Sequence, residues 1–190
     1  MAVNCAKLSG NLAMASCRSS VPGIKGEAIV FNYDDWKRLN ITKTNSVISA
    51  ITAPSGINGY RFTSHDEAFD GKVSMNKGTY INNFGHEVTM RAFDRTQTLK
   101  DDLNKMLNGR FVVIVINKDS NNPETVYEVY GEENGLEAKN IDYDSTNGDG
   151  VIYGITLGSP DKARESEVPT SIYTNSLAAT KTMVDGLVAA

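Results

Sequence analysis

Apolar and polar positions alternate with a period of two along much of the chain. That pattern predicts strands. Glu27 to Tyr33 places Ile29, Phe31 and Tyr33 on one face and Ala28 and Val30 on the other. Ser46 to Thr52 and Gly59 to Thr63 read as two further strands, separated by the turn residues Pro54-Ser55-Gly56. Lys72–Met75 and Thr79–Ile81 are short candidates around Asn76-Lys77-Gly78, and Glu87 to Phe93 alternates as a half-buried antiparallel strand does. Phe111 to Ile116 is apolar on both faces, the signature of a central strand covered on each side. Val126–Tyr130, Leu136–Tyr143 and Val151–Leu157 follow. Leu136 and Ala138 share a parity that Ile141 and Tyr143 do not, so a β-bulge is expected near Asn140. Asn147-Gly148-Asp149-Gly150 reads as the tip of the last hairpin.

One segment changes period. Leu99, Leu103, Met106 and Leu107 recur at helical spacing, which predicts a helix over about 98–108 with Thr98 as N-cap and Asp101 in its first turn. Asn108-Gly109 ends it, with Gly109 expected in the left-handed C′ conformation. The expectation is a mainly β protein, a mostly antiparallel sandwich or barrel with one packed helix. Its boundaries are an N-terminal arm over 1–25, the β-domain over 26–158 and a C-terminal arm over 159–190. Small and polar residues up to Pro22-Gly23 make the first arm irregular. The second carries a charged stretch between Pro160 and Pro169 and a weak helix capped by Asn175 or Ser176.

With 190 residues, 40% hydrophobic and 22% charged, the chain suits one domain with a real core. A net charge of −4 with no basic stripe argues against a dedicated nucleic-acid binder. No apolar run is long enough to span a bilayer as a helix, so no membrane partner is expected. Met14-Ala15-Ser16-Cys17 faintly matches a lipoprotein cleavage site, but Ser9, Gly10 and Asn11 interrupt any apolar region before it. A reducing compartment is then the default, with Cys5 and Cys17 as thiols. Two cysteines alone do not make a structural zinc site.

Reaction chemistry is hard to find. His65 and His86 are the two imidazoles, and neither lies in a nucleophile context such as GxSxG. His65 reads as exposed in Ser64-His65-Asp66-Glu67, and His86 adjoins Gly85 at the start of a strand. The acidic run from Asp142 to Asp149 fails the calcium-loop spacing, with Asn147 at the sixth position and Tyr153 at the twelfth. Gly148-Asp149-Gly150 leads into a strand and so lacks the helix N-terminus that binds phosphate. Trp36 and the eight tyrosines could form an aromatic binding platform, though core packing is their default role. No catalytic, cofactor-binding or metal residue is expected, no cofactor, and no enzyme; the assembly interface is not assigned to residues.

The order of signals resembles tail-tube-type structural proteins of phages that infect Bacteroidetes. The likeness rests on Cys5 and Cys17 in a short arm, Pro22-Gly23-Ile24, the strand Ile29–Phe31, the helix Leu99–Leu107 and the strand Phe111–Ile116. It continues through Tyr130-Gly131, Asn134-Gly135-Leu136-Glu137, Gly148-Asp149-Gly150 and Tyr153-Gly154-Ile155-Thr156-Leu157, and covers roughly residues 1–158. The charged tail after Ser159 departs from that pattern. The resemblance implies a homo-oligomeric virion protein, assembled in the host cytoplasm. Its rings, usually hexameric, would stack into a tube that conducts double-stranded DNA without binding it specifically, and would contact other tail and neck proteins. A connector, neck or capsid-associated protein is the nearest alternative. A monomeric carbohydrate- or ligand-binding β-sandwich module is the alternative of another class.

Overall fold

The computed structural model describes residues 22–65, 68–78, 82–93, 95–144, 146 and 153–188. In chain order the described elements are β1 (Ile24–Asn32), α1 (Tyr33–Trp36), β2 (Asn40–Thr44), β3 (Val47–Thr52), β4 (Tyr60–Thr63), β5 (Phe69–Lys77) and β6 (Asn82–Ala92). Then come α2 (Gln97–Met106), β7 (Arg110–Asn117), β8 (Tyr127–Tyr130), β9 (Leu136–Tyr143), β10 (Tyr153–Gly158), β11 (Thr170–Ile172) and α3 (Leu177–Asp185). The chain is mainly β, as its alternation predicts.

The strands join in one open, mixed sheet ordered β2-β3-β11-β8-β7-β9-β10-β6-β5, with β1 along the remaining edge of β7 and β4 beyond β1. β1 and β7 run antiparallel with Ile29 opposite Ile114 and Phe31 opposite Val112. The other edge of β7 is shared: Val113 to Ile116 pair with Tyr130 to Tyr127 of β8, and Arg110 and Phe111 pair with Glu137 and Leu136 of β9. β8 and β9 therefore lie along β7 as one strand interrupted by the excursion 131–135. At that interruption the sheet divides into two wings.

Each wing folds over one face of the central pair. On one side Ala28, Val30, Val113 and Val115 pack with Val88, Met90, Ile155, Leu157 and the helix residues Leu103 and Met106. On the other, Ile29, Phe31, Val112, Ile114 and Ile116 pack with Trp36, Ile48, Ile51, Val129, Ile172, Val184 and Leu187. Strict alternation along a doubly covered strand produces this division, because successive side chains point to opposite faces. Trp36 is a core residue, edge-on to Phe31 at 5.4 Å between ring centroids.

Several expectations change in detail. The N-cap of α2 is Thr96, whose hydroxyl accepts from the Leu99 N–H at 3.4 Å, and not Thr98. Leu107 falls outside the apolar stripe and is exposed. Gly109 is not in a left-handed conformation. Glycine fits there because a Cβ would stand 2.3 Å from the Phe111 ring. The bulge is real and sits one residue earlier: Thr156 faces Asn140 and Leu157 faces Ala138, leaving Lys139 as the extra residue. The Thr79–Ile81 candidate and the Asn147–Gly150 tip lie outside the described residues, as does most of the N-terminal arm; Ile24 and Lys25, assigned to that arm, are in β1.

The largest correction concerns 159–190, expected as an extended arm. β11 inserts into the sheet, parallel to β3 and antiparallel to β8. α3, capped by Ser176 as expected, buries Val184 in the second core, joined by Leu187 just beyond it. The composition of 159–169 reads as solvated because its burial is polar, through backbone pairing and the single buried carboxylate of Glu165. Two further helices thus join α2.

Candidate functional site

Three features outside the cores distinguish this surface. The first is β5. It pairs with β6 along all of its nine residues, and its outer edge ends the sheet path. Phe69 is buried, but from Asp70 to Met75 the strand is exposed on both faces, with Met75 65% accessible and Val73 also open. An edge strand of that length with apolar residues facing solvent is the kind that soluble proteins normally cover, shorten or charge. Lys72 and Lys77 are its only cations.

The second is the polar strap 159–169, which crosses from β10 to β11 and is bolted to the excursion 131–135. The excursion needs glycine at both ends: Gly131 and Gly135 have φ of 75° and 74°. In between, backbone N–H groups turn outward and need acceptors. Glu165, 3% exposed, supplies them. Its carboxylate accepts from the N–H of Glu133 at 2.8 Å and of Asn134 at 3.0 Å. Burial pushes the Glu165 carboxyl above its ordinary pKa, and these two N–H donors pull it back. Glu133 returns the contact by accepting from the Ser166 N–H at 2.9 Å. The strap also pairs with β6 where Phe84 and Glu165 exchange backbone bonds of 2.8 and 3.0 Å.

His86 lies beneath this junction, 3% exposed. Its Nδ1 accepts from the Gly131 N–H at 3.2 Å, and its Nε2 lies 2.9 Å from the Glu167 carbonyl. Its own backbone N–H donates to the Ser159 hydroxyl oxygen at 2.9 Å, and its ring stands edge-on to Tyr130. Burial lowers the imidazole pKa, opposed by the Glu167 carbonyl and the Glu132 charge. Above it Lys43 bonds the Glu132 carboxylate at 2.9 Å, Glu167 at 3.4 Å and the Thr170 hydroxyl at 3.0 Å, and Thr170 donates to Glu132. Burial works against the Lys43 charge, yet these carboxylates hold its pKa above the ordinary value.

A third feature is a cleft of about 1080 Å³ between β4, the end of β6 and α2. Phe62, Phe93 and Leu99 wall it, Met90 and Met106 floor it, and Arg61 and His65 stand at its rim.

The two histidines separate as follows. His65 is exposed, as expected, with its ring against Phe93. His86 is buried, and its backbone-bonded nitrogens make it structural in contact. Sequence reasoning missed the Glu165–loop junction entirely, although Gly131 and Gly135 bracketing polar residues marked a tight excursion. Among the described residues no three His, Cys, Asp or Glu side chains are grouped to hold a metal ion. No described helix is long and apolar enough to cross a membrane. Comparison with protein-family models, curated proteins and solved structures finds no match for this chain.

Proposed function

We propose that this protein is a virion structural protein that assembles by extending its sheet into other copies of itself, as a tail-tube subunit. The observation that carries this reading is β5: nine residues whose outer edge pairs with no strand among the described residues, with Val73 and Met75 in solvent, on a chain whose two cores are otherwise covered. Pairing with a neighbour satisfies such an edge and buries its apolar face. A ring of subunits joined this way, expected to hold six, stacks into a channel for double-stranded DNA in the tail of the particle. The net charge of −4 per subunit favours a lumen along which phosphates slide without adhering. A connector or neck ring would use the same edge.

The cleft beside α2 favours a second reading, a monomeric module that binds a carbohydrate or another ligand between aromatic walls. Negative-stain microscopy with size-exclusion chromatography at micromolar concentration separates the readings. Stacked rings support the tube, single rings the connector, and a monomer that retains glycans the binding module.

A further inference from the structure

We infer that the strap 159–169, together with β11, is a pH-sensitive latch held shut by neutral His86 and opened by its protonation. This inference is independent of the assembly reading, since every contact it uses lies within one chain.

The two nitrogens of His86 meet backbone groups of opposite polarity. The Gly131 N–H can only donate, so Nδ1 must be the acceptor; the Glu167 carbonyl can only accept, so Nε2 must carry the proton. One tautomer satisfies both. A second proton would have to sit on Nδ1, where it meets another donor 3.2 Å away. The imidazolium would therefore lose the Gly131 bond and remain buried with an unmatched N–H. Among the groups around it, Glu132 and Glu167 are engaged by Lys43, while Glu165 and Glu133 are engaged by backbone N–H groups. The remaining neighbours are Lys37, which lines the same pocket, and the Tyr130 phenol, whose pKa burial raises. The carboxylates attract a proton to the region, but none is free to receive one from Nδ1.

Relief comes from separating Nδ1 from the Gly131 N–H and letting water reach it; the excursion 131–135 that carries Gly131 is bolted to the strap through Glu165 and Glu133, so the two lift together. The strap leads directly into β11, which is held by only three residues between β3 and β8. The sign is fixed. The opened state takes up its proton in the ordinary histidine range, about pH 6.5, and the closed state resists. Opening therefore becomes more favourable as pH falls below ~6.5, by up to about tenfold per pH unit, until the closed form protonates. Glu165 acts in the opposite sense, because its raised pKa favours the closed form once protonated.

Hydrogen–deuterium exchange by mass spectrometry on the full chain tests this, with rates corrected for intrinsic pH dependence. Between about pH 7.5 and pH 5, peptides covering 159–173 are expected to lose at least about tenfold in protection while β1 and β7 peptides hold theirs. The His86→Gln variant cannot titrate and is expected to show no such loss. Should that variant fail to fold, imidazole C2 exchange in the wild type gives the His86 titration directly, with His65 as the exposed control. The protection loss must follow the His86 titration. Unchanged strap protection, a loss shared equally by β1 and β7, or the same loss in His86→Gln would overturn the latch.

Discussion

The Arg61 guanidinium ties β4 to both ends of its surroundings: one Nη bonds Glu27 of β1 at 2.9 Å and the other bonds Asp185 of α3 at 2.5 Å. Arg61 is thus the polar rivet by which α3 is held to the central pair. Lys181 and then Arg61 keep the Asp185 carboxyl below its ordinary pKa. For a depressed carboxylate the stabilisation is present above about pH 4 and is lost as pH falls through the folded pKa. Both partners are partly solvated, so Arg61→Ala is expected to cost only about 1 kcal/mol. Chemical denaturation at pH 7 and at pH 3 measures it, and the difference between variant and wild type should shrink at the lower pH.

The doubly covered strand β7 is where truncation costs most. Ile114 is fully buried in the second core and pairs with Ile29. Ile114→Ala removes three carbons from a site that neighbours on both sides hold rigid, and is expected to cost roughly 2–5 kcal/mol. A lower urea midpoint with an unchanged m-value is the expected readout.

Glycine at 131 and at 154 should respond oppositely to alanine. At Gly131 the left-handed backbone disfavours any Cβ, and one there would stand 2.6 Å from Leu136. Gly131→Ala is expected to cost more than ~1 kcal/mol. At Gly154 the nearest atom to a new Cβ is 4.0 Å away, and Gly154→Ala should be neutral or slightly stabilising. Thermal melts of the two variants provide the comparison.

Glu165 gives a pH-dependent test of the junction. Glu165→Gln mimics the protonated carboxyl, with one carbonyl acceptor for two backbone donors, and is expected to lie within about 1 kcal/mol of the wild type at low pH. Because burial raises the carboxyl pKa, the wild type loses stability as pH rises through that value, while the amide does not. The wild type should therefore fall relative to the variant from pH 4 toward neutrality, and stability curves across that range read it.

The open edge of β5 can be closed electrostatically. Val73 and Met75 face solvent, so replacing both with Lys should leave the fold intact while opposing any strand laid alongside. Unchanged circular dichroism with loss of higher-order species in size-exclusion chromatography is expected. Rings that form as before would show that β5 is not the joint.

The parts of this fold that were legible are those whose pattern follows burial. β1 and β7 announce themselves because their residues are apolar at both parities and each parity enters a different core. The Lys139 bulge was legible from a single shift of parity. β2, Asn-Ile-Thr-Lys-Thr, was missed because only Ile41 meets the core and the rest of its face is solvent. β11 was missed because three residues carry no period, and what holds it is pairing to strands more than a hundred positions earlier or on the far side of the excursion. The strap was misread for a related reason. Charged residues such as Glu165 are normally exposed, and its burial depends on two N–H groups that only the glycine-bracketed excursion presents.

That β11 stands between β3 and β8 also sets an order of events during synthesis. The β2–β3 ribbon emerges early but, among the described strands, reaches the rest of the sheet only through one made more than a hundred residues later. Until then the ribbon has no neighbour on its inner side, and the apolar surface later covered by Ile172 and α3 stays wet. The second core is therefore completed last, by long-range closure, which is slow and leaves an unpaired edge in the meantime. For a chain that also keeps an exposed outer strand, the vulnerable interval is the one before β11 docks, and a chaperone acting on the nascent chain would have its greatest effect there.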